Sequence, residues 1–136
     1  MTAFARSAAA AYHRLGVETV AQTADPHRLI EMLYDGAIVA VGKARIAMSR
    51  RDIAVKGEQT TRAIRIISEG LKAALDPRGG DLTVRLDALY DYMGRTLLQA
   101  NLDNDDRRFA EVEQLLGDLR GAWREIRPGH AKAAAA

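Results

Sequence analysis

Three histidines, one acidic run, one glycine pair and a few serines are where catalysis or metal binding would have to begin in this chain. His13, His27 and His130 fall in three separate segments. None has a second histidine or a carboxylate at helical ligand spacing, and Glu-x-x-His, the di-metal signature of helical bundles, is absent. The run Asp103-Asn104-Asp105-Asp106 begins like a calcium loop. Arg107 and Arg108 then stand where such a loop needs an oxygen ligand and its glycine, so it reads as a loop and a helix start. Gly79-Gly80-Asp81 is too short to cradle a phosphate and lacks the following Lys and Ser or Thr; it reads as a turn and a cap. Ser7, Ser49 and Ser68 have no neighbour that would activate them, and there is no cysteine.

These residues predict a binding protein and no enzyme, with no cofactor and no metal. Composition narrows the partner. The 20 Lys and Arg are interleaved with 18 Asp and Glu, without the basic face or tail that nucleic acid requires. Aromatic residues make up 5% of the chain, too few to stack many bases. Every apolar run is broken by charge well short of the roughly 20 residues that span a bilayer, so no membrane insertion is expected. Met1 to Ala11 lacks the apolar stretch of a signal peptide, and the lack of cysteine suits a reducing cytosol. A cytoplasmic location is the expectation.

The elements that would position a binding surface are helices. Asp25 followed by Pro26 predicts an N-cap with proline at the first helical position. From there Ile30, Leu33, Ala37, Val41, Ala44 and Met48 recur at three and four residues. Asp52 can cap a second helix striped by Ala63, Ile64, Ile67, Leu71 and Ala74, which ends in the breakers around Pro77 to Gly80. Asp81 is expected to cap a third, striped by Leu82, Leu86, Leu89, Met93, Leu97 and Ala100. Asn104 or a neighbouring Asp starts a fourth, carrying Phe109, Val112, Leu116, Leu119, Trp123 and Ile126 near heptad spacing. The expected fold is all-α, an antiparallel four-helix bundle over 25–49, 52–75, 81–101 and 105–127, with a docked leader over 1–24 and a tail over 128–136.

The first helix has more apolar surface than a peripheral bundle helix needs. Leu29, Met32, Gly36, Ala40 and Ala47 form a second ridge beside the first, and no charge falls between Asp35 and Lys43. Two readings stand: the helix is central or covered by the leader, or part of the ridge is a groove for an amphipathic partner helix. Ile66, Val84 and Leu98 lie off their stripes and would extend such a surface. Tyr34, Tyr90 and Tyr92 fit either packing at the rim or contact with a partner.

Several of these segments resemble the FliS flagellin chaperones. Ala24-Asp25-Pro26-His27-Arg28-Leu29-Ile30-Glu31-Met32-Leu33-Tyr34-Asp35-Gly36-Ala37 is similar to that family's first-helix signature. Lys56-Gly57-Glu58 with Ala63 to Ile67, Leu89-Tyr90-Asp91-Tyr92-Met93, Leu97 to Leu102 and Glu111-Val112 through to Trp123 follow in the same order. In the leader the match is Tyr12 and Val17-Glu18.

The resemblance implies a helical-bundle chaperone that holds flagellin in the bacterial cytoplasm. Its client site would take the disordered C-terminal segment of flagellin, which becomes helical on the bundle, preventing premature polymerisation. The complex would be delivered to the flagellar type III export gate. The leader would cover part of the apolar surface until the client displaces it, with Tyr12 implicated in docking at the gate. The residues expected to meet a partner are Tyr12, Leu15, Val17, Leu29, Met32, Ile66 and Leu98. A homodimer is compatible with this reading. The competing expectation is a helical adaptor or regulator for another protein's amphipathic helix.

Overall fold

The computed structural model describes residues 25–126. Helix α1 covers Pro26–Ser49, α2 Ile53–Arg65, α3 Gly80–Asp103 and α4 Asp106–Glu125. The turns after α2 widen into a π-helical stretch, Ile66–Lys72, and a single 3-10 turn, Pro77–Gly79, leads into α3. No strand occurs among the described residues. The all-α four-helix bundle expected from periodicity is the fold observed.

Local chemistry accounts for each boundary. The Asp25 carboxylate accepts from the Arg28 backbone N–H at 2.7 Å, with Pro26 at the first helical position. Helix α1 ends in a Schellman turn: Arg51 takes φ of 57°, Asp52 N–H donates to the Ala47 carbonyl at 2.9 Å and Arg51 N–H to that of Met48 at 3.1 Å. Asp52 then caps α2 through Val55 N–H at 3.1 Å. Asn104, left-handed at φ of 51°, closes α3, and Asp105 caps α4 through Arg107 N–H. Asp81 does not cap α3. Gly79 holds that position without a side-chain bond, and Asp81 sits within the first turn, because Asp76 has already capped the 3-10 turn through Arg78 N–H at 2.8 Å.

Each helix packs against two neighbours, α1 on α2 and α4, and α3 on α2 and α4, so that α1 and α3 face each other across the diagonal. Polar pairs fix the directions. Arg45 donates twice to Asp106, at 2.8 and 2.9 Å, and once to Glu113 at 2.8 Å, while Arg120 donates to Asp35 at 2.7 Å. Rising numbers on α1 therefore meet falling numbers on α4, an antiparallel pair. Lys56 reaches Asn101 and Asn104, whereas Lys72 reaches Asp91 at 2.7 Å, so α2 and α3 are antiparallel too. The core is filled by Leu33, Val41, Ile67, Met93, Leu97, Phe109, Val112 and Leu116, all essentially without exposure.

The π stretch has a packing cause. Ala63, Ile67 and Leu71 recur every four residues, and on a regular helix each such step drifts about 40° round the axis. A wider turn restores the alignment and keeps Ile66, Ile67, Gly70 and Leu71 buried together. Gly70 suits this close approach, since a Cβ would lie 2.9 Å from Leu33 Cδ2 on α1 and force that side chain to shift.

Candidate functional site

At the end of the bundle where α1 and α3 begin and α2 and α4 finish, the four helices leave an apolar groove of about 160 Å³. Ile30 and Tyr34 form one wall, Leu71 and Leu75 the next, Leu82, Leu86 and Tyr90 the third, and Leu119, Trp123 and Ile126 the fourth. These residues belong to the same stripes that build the core. The stripes run on to the helix ends, beyond the level at which the opposite helices can cover them, and surplus stripe becomes groove. Leu82, 48% exposed, stands at the rim, and Asp76 is the single charged residue in the lining among the described residues.

Two polar contacts brace the groove. The Tyr34 and Tyr90 hydroxyls bond each other at 2.6 Å across the bundle diagonal, with both side chains buried. Burial lifts both phenols above the ordinary tyrosine range, and for Tyr90 the neighbouring Tyr34 adds to the effect. His27 stacks on Trp123 with ring centroids 4.9 Å apart, and each ring bonds the other's backbone carbonyl, His27 Nε2 at 2.7 Å and Trp123 Nε1 at 2.8 Å. Beside them, Arg124 holds the Glu31 carboxyl below its usual range through a side-chain hydrogen bond, which outweighs the opposing effect of burial; Arg28 adds a further ion pair at 3.1 Å. The α1–α4 wall is thus closed by polar bonds at the place where apolar packing stops.

A second recess, of about 440 Å³, lies at the opposite end among Met48, Arg51, Asp52, Ile53, Lys56 and Asn104. Its chief feature is Lys56, only 6% exposed, whose ammonium donates to the Asn101 carbonyl at 2.9 Å and to Asn104 Oδ1. That places a cation on the C-terminal turn of α3, where the helix dipole favours one, and gives Lys56 a structural task.

The sequence-predicted partner residues separate under the fold. Leu29 and Ile66, each 2% exposed, are core. Both are enclosed in the free chain, because α1 packs on two helices at once and also meets the π stretch, where Ile66 Cδ1 approaches Gly36. Met32 is half-buried and packs against the core. Leu98 is 52% exposed and faces outward on α3 with Leu102 and Val84. Tyr12, Leu15 and Val17 lie outside the described residues. The groove residues Leu82, Leu86, Leu119 and Trp123 were legible as stripe members but not as an opening, and the extension of their stripes to the helix ends was the available signal.

Among the described residues no group of three or more His, Asp or Glu could hold a metal ion, and no helix is long and apolar enough to cross a membrane. A four-helix bundle with an apolar end groove defines a helical binding protein. Residues 8–130 match the family model described as flagellar protein FliS, and the chain belongs to that family. It is 49% identical over 119 residues to the flagellar secretion chaperone FliS of Salmonella typhimurium, covering 87% of this chain and 88% of that relative. It is 41% identical over 123 residues to the Escherichia coli flagellar secretion chaperone FliS, covering 90% of each. The Bacillus subtilis protein of the same name is 40% identical over 103 residues, 76% of each chain. The family is one of flagellar export chaperones.

Proposed function

We propose that this protein is a cytoplasmic chaperone that binds the disordered C-terminal segment of flagellin, blocks its premature polymerisation and delivers it to the flagellar type III export gate. The observation that carries the reading is the match along nearly the whole bundle to relatives named flagellar secretion chaperones. An apolar groove and the outward residues Leu98 and Leu102 supply surface on which a client helix can form. Flagellin polymerises through coiled-coil-forming termini, so covering one terminus removes it from assembly. Folding the client on the chaperone costs about 2–5 kcal/mol of the gross interaction, which keeps an extensive interface releasable at the gate.

In this reading the segment 1–24 covers part of the apolar surface through Tyr12, Leu15 and Val17 until the client displaces it, and Tyr12 then docks at the gate. Cover of this kind lowers the apparent client affinity by the fraction of molecules still covered. Calorimetric titration of the full chain with the C-terminal segment of the host's flagellin, alongside circular dichroism, tests the proposal. Binding with a gain in helix and a negative heat-capacity change is expected. Absence of binding would leave the chain an adaptor for some other protein. Light scattering on the same sample reports whether the free protein is a homodimer.

A further inference from the structure

The Tyr34–Tyr90 pair holds a donor that the bundle does not use. Each phenol carries one O–H proton and two acceptor lone pairs. A bond between the two hydroxyls, whichever of them donates, spends one proton and leaves the other, and neither tyrosine has a further hydrogen bond among the described residues. Both phenols stay protonated at neutral pH, since burial raises them further from ionisation. The side chains are 3% and 4% exposed, and both line the apolar groove. While the groove is open, solvent can reach its lining. An occupant that expels solvent has to supply an acceptor itself or leave a buried donor without one.

The lining also restricts what that acceptor can be. Among the described residues Asp76 is its single charged one, and no described lysine or arginine lines the groove. A carboxylate seated there would lose its hydration with no cation to compensate it. A neutral carbonyl oxygen carries no such penalty. Backbone carbonyls inside a client helix are already engaged by that helix, and a Ser or Thr hydroxyl is short and turns back to bond the carbonyl four residues earlier, so a side-chain amide oxygen suits the position best.

We propose that the Tyr34–Tyr90 pair selects the occupant of the end groove, and that this occupant is a helical client segment laying apolar side chains along the groove with one Asn or Gln amide oxygen set against the second phenolic proton. This rests on the flagellin-binding reading and assigns to it a site and a selectivity. The pair rejects a segment that is apolar throughout, because such a segment would strand the proton away from water, and it rejects an acidic one on charge.

The test uses the full chain and the flagellin C-terminal segment. A Tyr34→Phe, Tyr90→Phe double variant removes both polar partners together, so its melting temperature should stay near that of the native chain while client affinity falls about tenfold. If the double variant does not fold, the client replacements on the native chain decide: one of them should weaken binding about tenfold, and none doing so would overturn the proposal. Each Asn and Gln of the client is then replaced in turn by Leu or Met. One replacement should weaken binding to the native chain and have no effect with the tyrosine variant, which is the signature of a direct pair. Leu82→Lys, at the exposed rim, should obstruct the groove and lower affinity with little change in melting temperature. Unchanged affinity in the tyrosine variant, or client replacements that act equally on both chaperones, would overturn the proposal. So would a Leu82→Lys chain that melts lower yet binds client normally, since that assigns the groove to the protein's own residues 1–24. If the native chain binds no flagellin at all, the flagellin reading fails first, and this result is distinct from the others.

Discussion

His27 and Trp123 are stacked face to face 4.9 Å apart at an interplanar angle of 11°, and each hydrogen-bonds the backbone carbonyl of the other. The pair joins the first turn of α1 to the last turns of α4, so the wall of the groove is held by two rings and two bonds. Trp123 is the sole tryptophan of the chain, which makes its emission a direct report on this closure. His27→Ala should red-shift the emission and lower stability by about 1–2 kcal/mol through the lost bond and stack. Equilibrium denaturation followed by fluorescence, with circular dichroism beside it, checks both. An unshifted spectrum would mean that the wall stays closed without the pair.

Glycine substitutions should have opposite signs at two sites. Gly70→Ala places a methyl 2.9 Å from Leu33 Cδ2, and Leu33 is 2% exposed, so it can give way only against its packed neighbours. A loss of about 1–3 kcal/mol is expected from overpacking. At Gly94, inside α3, an added Cβ meets nothing within 4 Å, and Gly94→Ala should stabilise by about 0.5–1 kcal/mol. Urea unfolding of the two variants measures the contrast, and a neutral Gly70→Ala would show that the π turn tolerates a wider helix spacing.

Acid should loosen the α1–α4 face. Asp106 is held below its usual range, first by the side-chain hydrogen bond from Arg45 and then by that residue's charge, against the opposing effect of burial; Glu31 is lowered chiefly by Arg124. A carboxylate depressed in the folded state contributes stability that is complete above its unfolded pKa, near 4, and is lost as pH falls through the lower folded value. Melting temperature should therefore be flat from pH 7 to about 5 and decline below about 4. Arg45→Met should make the decline shallower. The gain at neutral pH is less than about 1 kcal/mol per pair, because Arg45 and its partners are a third to a half exposed.

Lys56→Met should fray the far end of the bundle. Its ammonium is the donor that satisfies the Asn101 carbonyl and Asn104 Oδ1 at the close of α3. Without it two part-buried acceptors lose a charged partner, and a destabilisation of about 1–3 kcal/mol is expected. Hydrogen exchange should accelerate at the amides of residues 100–108, leaving the end groove protected as before. Uniform acceleration would indicate that Lys56 acts on the whole core.

Helix number, order and most of the core were legible in the sequence because they depend on local chemistry. Asp25 with Pro26 and the Asp52 cap act within one turn, and stripes such as Leu33, Val41, Met93 and Leu116 follow from a 3.6-residue period that each helix has by itself. The motifs that carry the family resemblance are local too. Tertiary structure alone decided which apolar residues are surface. Leu29 on the second ridge of α1 and the off-stripe Ile66 on the next helix read equally as core or as spare surface on isolated helices, and packing of α1 on two sides buries them; Leu82 and Trp123 look like core and instead line an opening, because helix ends outrun their neighbours. The π stretch opposite Leu33, the Tyr34–Tyr90 bond across the diagonal and the buried Lys56 ammonium each join residues distant in the chain. Spacing along one helix says which side faces inward, whereas the length and crossing of the helices that meet it determine how far that side is covered.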